Sequence, residues 1–159
     1  MAADELSHLR ADGTAAMVDV GGKPVTARVA VAGATFITTP AVLAAVTAGT
    51  VGKGDVLATA RIAGIMAAKR TSDLVPMCHP IAIHGVVVDV TPDETEDIVR
   101  VRAQVRTVDR TGVEMEALTA VTVACLTVVD MTKAVDPAAT ITSVAVVEKT
   151  GGRSGDWTR

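Results

Sequence analysis

Aromatic side chains are almost missing from this sequence, which has one Phe, one Trp and no Tyr in 159 residues. That scarcity removes the stacking platforms on which proteins hold single-stranded bases. It also means that a core must be assembled from Ala, Val, Ile, Leu and Met. Cysteine is scarce too. Cys78 and Cys125 are far apart, so a disulfide framework is not expected and a reducing cytoplasm fits better. Positive charge is not in excess: 15 Lys and Arg against 18 Asp and Glu leave a net charge of −3, which argues against a nucleic-acid partner. No run reaches the roughly 18 uninterrupted apolar residues of a membrane span; even the apolar stretch 117–129 contains Thr119, Thr122 and Thr127. Residues 1–10 carry acids and lack the apolar centre of a secretory leader. What is abundant is small apolar side chains. Hydrophobic residues make up 49% of the chain, enough to exclude wholesale disorder, and the length suits a single core.

Residues 1–16 read as a flexible arm and residues 17–159 as one domain. Gly21-Gly22-Lys23-Pro24 is a turn before a strand over residues 25–38. Thr39 as N-cap and Pro40 at the first helical position then open a short helix, 41–48, which Gly49 stops. After Lys53-Gly54-Asp55 comes a second helix, with Val56, Ala60, Ala63 and Ala67 at helical spacing. Its density of Ala and Gly permits close approach to a neighbour, and Lys69-Arg70 ends it. Pro76 and Pro80 bracket Met77-Cys78-His79 in an irregular loop. Strands follow over 85–90 and 98–108, joined by an acidic connection at 92–97. In the second strand, Val99, Val101, Ala103 and Val105 alternate with Arg100, Arg102, Gln104 and Arg106. The longest helix signal covers 113–135, closed by Asp136-Pro137, and a strand over 141–147 precedes a Gly-rich tail. The pattern predicts an α+β protein of ferredoxin-like topology, a largely antiparallel sheet with helices packed on one face. One helix layer with almost no aromatics buries rather little, so a homo-oligomer is expected.

Three clusters bear chemistry. On the long helix, Glu116 and Asp130 share a stripe but lie about 21 Å apart at 1.5 Å per residue, and Lys133 is a surface neighbour of Asp130. Two sites per chain, or an antiparallel pair of chains that brings one helix start beside the other's end, would use them; a solvated helix face accounts for the same spacing. In the proline-braced loop, Cys78 and His79 suggest a nucleophile pair, a metal site or a hydrogen-bonding clamp. For a metal only His84 lies near, and neighbours in an extended segment point apart; an inert buried Cys beside a capping His stays open. Lys53, Lys69, Arg70, Lys149 and Arg153 sit at element ends or in glycine-rich turns, where a cation beside exposed N–H groups can hold phosphate oxygens. Walker A spacing is absent, and ordinary solvated loop cations remain the alternative.

Taken together, several segments resemble the cyclic pyranopterin monophosphate synthase family of molybdenum-cofactor biosynthesis. They are Met17-Val-Asp-Val20, Lys53-Gly-Asp-Val-Leu-Ala-Thr-Ala-Arg-Ile-Ala-Gly64, Ala67-Ala-Lys-Arg-Thr71, Met77-Cys-His-Pro80, Gly112-Val-Glu-Met-Glu-Ala-Leu-Thr-Ala120, Asp130-Met-Thr-Lys-Ala134 and Lys149-Thr-Gly-Gly-Arg-Ser-Gly155. The match runs from about residue 8 to the end, and Arg153 stands where family members often carry Lys. The resemblance implies a lyase that converts the 3',8-cyclo-7,8-dihydro derivative of GTP to cyclic pyranopterin monophosphate and diphosphate. It implies a cytoplasmic hexamer, a trimer of dimers with interfacial sites, and no cofactor beyond Mg²⁺ accompanying the triphosphate. Asp130 would be the acid/base residue with Lys133 and Lys53 as partners. Met77, Cys78, His79, Glu114, Met115 and Glu116 would contact substrate, and Lys69 and Lys149 would complete the pocket. Two other classes remain at this stage: an oligomeric nucleotide sensor without catalysis, and a GTP ring-opening cyclohydrolase, which would want a metal site.

Overall fold

A computed structural model describes residues 12–152 and 155–159. Most of the expected arm, and Arg153, lie outside them. Strand β1 (Thr26–Ile37) leads to helices α1 (Pro40–Thr47), α2 (Val56–Ala68) and α3 (Thr71–Leu74), then to strands β2 (Ile83–Asp93) and β3 (Ile98–Asp109). Helix α4 (Glu114–Thr132), strand β4 (Thr140–Thr150) and the short β5 (Trp157–Thr158) complete the order. The sheet runs β2-β3-β1-β4-β5 with every pair antiparallel. Without β5 this is the βαββαβ arrangement expected from the sequence, and α2 and α4 pack side by side on one face.

Local chemistry accounts for the element ends. Gly54 at φ +99° turns the chain, and Asp55 then caps α2 by accepting from the Ala58 N–H at 2.9 Å. Thr39 occupies the N-cap of α1 with Pro40 behind it, but its side chain makes no capping bond. Helix α4 stops three residues before the expected end. Lys133 takes the C-cap, and Asp136 is drawn away to accept from Thr38 Oγ1 (2.9 Å) and the Ala138 N–H (3.0 Å). Strand β2 reaches Asp93, further than expected, because Pro92 lies on the edge strand, where a missing N–H costs no ladder bond.

The core is the small-residue assembly that the composition demands. Ala30, Ala32, Ala34 and Phe36 on β1 face Ala117, Ala120, Val121 and Ala124 on α4. Gly64 on α2 sets the helix spacing: a Cβ there would stand 2.9 Å from the Ala120 carbonyl oxygen and 3.3 Å from the Ala124 methyl. Along β3, Val99, Val101, Ala103 and Val105 are buried while Arg100, Arg102, Gln104 and Arg106 line the open face. There Arg102 reaches Glu148 at 3.5 Å, from β3 across β1 to β4. Helix α4 has the length and hydropathy of a membrane span, yet half of it is buried within the fold.

Candidate active site

The N-terminal end of α4 opens on a cavity of about 290 Å³. The proline-braced loop contributes Met77, Cys78 and His79, the helix contributes Glu114, Met115 and Glu116, and Val18, Val20 and Lys23 close the far side. All six residues assigned to substrate contact therefore meet in one place. Cys78 and His79 line the same cavity although neighbours in a strand would point apart. The loop between the prolines is not extended strand, so alternation does not apply to it.

Electrostatics at this end follow from enclosure. Glu116 is 4% exposed, and burial, reinforced by the charge of Glu114, pushes its pKa to about 7 although its own N–H favours the anion. Burial and then the nearby Glu116 charge raise the Cys78 thiol, so this cysteine is a neutral thiol at pH 7 rather than a nucleophile. Cys125, fully buried and pushed up to about 12, is core. A small recess behind Glu116, about 20 Å³, brings Lys69 and His79 to its other side. Lys149 on β4 stands 3.4 Å from Glu114 Oε1. Lys69 and Lys149, which the resemblance assigned to completing the pocket, thus border the same region.

The C-terminal end of α4 holds the other cluster. Lys53 Nζ donates to the Asp130 carbonyl oxygen at 2.6 Å and to Asp130 Oδ2 at 2.9 Å, while Lys133 Nζ donates to Oδ1 at 2.7 Å. The side chains remain 50 to 60% exposed. Bonds from Lys133 and then Lys53 hold the Asp130 carboxyl down at about 2, so it is an anion throughout the physiological range. The i,i+3 pair was legible in the sequence. The contact with Lys53, 77 residues away, no spacing could show; only the family resemblance pointed to it.

Lys23 and the Val18, Val20 and Thr111 walls are the residues that sequence reasoning missed. Their signal was slight: an alternating Val18-Asp19-Val20 followed by Gly21-Gly22-Lys23, which reads as an ordinary turn. Among the described residues, no three of His, Cys, Asp and Glu converge as metal ligands.

One chain therefore carries two clusters of candidate site residues at opposite ends of a helix, and comparison with known proteins places the chain in a known family. The model of the MoaC family matches residues 17–152. The cyclic pyranopterin monophosphate synthase of Streptomyces coelicolor is 59% identical over 98% of this chain and 91% of its own length. Proteins of the same name from Nocardioides sp. and Brucella ovis are 56% and 55% identical, over 97% and 96% of this chain and 95% and 93% of theirs. On the extent and level of these matches, the chain belongs to the MoaC family.

Proposed function

We propose that this chain is a cyclic pyranopterin monophosphate synthase whose active sites form between copies of the chain. Its substrate would be the 3',8-cyclised dihydro derivative of GTP, and its products cyclic pyranopterin monophosphate and diphosphate. The observation that carries the shared site is the separation of the half-sites, about 21 Å along α4 at 1.5 Å per residue. A cavity of about 290 Å³ lies at the lower edge of the roughly 300–1,000 Å³ usual for ligand sites, room for a ring system with the triphosphate continuing outward.

The outward stripe of α4 supplies the means of joining the halves. Met115, Thr119, Thr122, Leu126, Asp130 and Lys133 succeed one another at steps of three or four residues. Met115 is 39% and Leu126 52% exposed. The threonine hydroxyls are spent on the helix itself, Thr119 donating to the Met115 carbonyl and Thr122 to that of Leu118, so their methyl groups face outward. A stripe without charge between Glu116 and Asp130 is suited to a second copy of itself. Antiparallel pairing would set Lys53, Asp130 and Lys133 of one copy beside Glu114 and Glu116 of the other. A dimer of this kind gives two sites, and a trimer of such dimers, in the cytoplasm, is the assembly the resemblance implies.

Each group then has a task. Rebuilding a purine into a pterin needs several proton transfers, then attack of a ribose hydroxyl on the innermost phosphate with diphosphate leaving. Asp130, Lys133 and Lys53 would move protons at the reacting atoms. The two ammonium groups would also stabilise charge gathering on the leaving diphosphate. Glu116, His79 and the Cys78 thiol would hold the ring edge through hydrogen bonds. No organic cofactor enters this scheme, and Mg²⁺ would enter as part of the substrate.

The test is complementation. Glu116→Ala and Asp130→Ala chains, each inactive alone, should regain diphosphate release from the cyclised GTP once mixed oligomers form. Verified mixed oligomers without recovered activity would rule out a site shared in this way. A wild-type chain that leaves the cyclised GTP intact would rule out the activity itself.

A further inference from the structure

Beyond the residues at the half-sites, the C-terminal segment carries a feature that neither the cavity nor the helix explains. Strand β5 folds back on the end of β4, with Trp157 opposite Lys149 and Thr158 opposite Glu148. Arg159 adds two bonds to the same strand, its N–H to the Val147 carbonyl at 2.9 Å and Nε to that of Val146 at 3.2 Å. Its guanidinium lies 5.8 Å from the Trp157 ring centre. Between β4 and β5 the chain turns through Gly151 (φ +81°) and Gly152 (φ +79°). A Cβ at Gly151 would run into the Ala27 carbonyl oxygen, so the turn is pressed against β1 on one side. On the other side Asp156 Oδ1 accepts the Gly151 N–H at 3.0 Å.

We propose that Asp156 is a positioning residue: its bond to Gly151 closes the turn so that β5 holds the end of β4 and sets the Lys149 ammonium at the mouth of the cavity, opposite Glu114. The inference rests on the functional reading above for what Lys149 does there, a cation for the phosphate chain of the substrate. Asp156 acts through Lys149 and does not itself meet the reacting atoms. The residue type fits the task. The carboxylate is an acceptor that reaches back over a turn to a main-chain N–H, and the two glycines supply the left-handed backbone that lets it do so.

The experiment uses the full chain with the cyclised GTP as substrate and compares Asp156→Ala, Asp156→Asn, Lys149→Ala and the Asp156→Ala/Lys149→Ala double variant. Asp156→Ala should raise KM about tenfold, the effect of one lost hydrogen bond, with kcat within about threefold of wild type. Asp156→Asn keeps the acceptor oxygen and should stay within about twofold. In the Lys149→Ala background the Asp156→Ala change should add less than about twofold, because the residue it serves is gone. Full additivity in the double variant, or an Asn variant as impaired as the Ala one, overturns the proposal. If wild type does not turn over the substrate at all, the functional reading falls and the positioning is judged by NMR. The Lys149 Cε–H signal, assigned by its loss in Lys149→Ala, should then move in Asp156→Ala and stay in place in Asp156→Asn. A signal that stays in place in both overturns it.

Discussion

The two ends of helix α4 place a carboxylate in opposite conditions. At the start, Glu116 is buried under the proline-braced loop and its pKa rises to about 7. At the end, Asp130 stands in solvent between two ammonium groups and falls to about 2. Neither difference comes from the helix dipole, which favours an anion at the start and disfavours one at the end. It is overruled at both ends, by desolvation at one and by paired cations at the other. One helix thus offers a carboxyl able to hold a proton near neutral pH and, about 21 Å away, a permanently ionised one with cations attached. The proposed reaction, made of proton transfers and phosphate departure, would draw on both kinds of group, and that is the physical ground for proposing a site shared with a second copy of the chain.

The largest expected effect breaks the exposed end. Asp130→Asn and Lys133→Ala should each lower kcat by about 10²–10⁴, the usual contribution of a positioned acid or base. Circular dichroism and melting should change little, because both side chains are more than half exposed. Near-normal turnover at saturating substrate in both variants would remove them from the chemistry.

At the enclosed end the comparison is sharpened by pH. The folded pKa of Glu116 lies above its ordinary 4.5. Its contribution to stability is therefore whole below pH 4.5 and drains away as pH rises toward 7. The loss is at most on the order of 3 kcal/mol, less what the α4 dipole returns to the anion. Glu116→Gln does not titrate and should show no such decline. Denaturant unfolding of both chains between pH 4 and 8, at one protein concentration because association adds apparent stability, gives the difference. Parallel stability profiles would mean that Glu116 is not desolvated in the assembled protein.

How much of this contrast the sequence could reveal depended on the range of the forces involved. Repeating local patterns were readable: the alternation from Val99 to Arg106, the Ala and Gly stripe of α2, and the Asp130–Lys133 step. Strand β5 was not, because two residues carry no periodicity, and its pairing depends on Asp156 and Arg159 reaching β4 and the turn beside it. Lys23 and Lys53 came to their places through packing of loops against α4, which leaves no local trace beyond a glycine on either side of Lys53 and two before Lys23. The opposite pKa directions were equally hidden, since burial and long-range pairing produce them.

Gly64 tests whether the two ends depend on one another through α2. That helix begins just after Lys53, ends just before Lys69 and touches α4 midway, at Ala120 and Ala124. Gly64→Val places a side chain where the Ala120 carbonyl oxygen is 2.9 Å from the Cβ position. About 1–3 kcal/mol of stability should be lost through overpacking, together with activity as the helices part. Unchanged stability would mean that the layer can open without cost, and the close helix approach would not be what fixes the ends.

The smallest effect belongs to the ion pairs themselves. Lys53→Met removes both the 2.9 Å salt bridge to Asp130 and the bond to its carbonyl. Even so, an exposed pair contributes only about 0–1 kcal/mol, less in salt. Urea unfolding in low and high salt should therefore place this variant within about 1 kcal/mol of wild type, while its turnover collapses. A larger loss of stability would mean that Lys53 is there to hold the C-terminal end of α4 together. An ammonium committed to that purpose would not be free to exchange Asp130 for a leaving diphosphate.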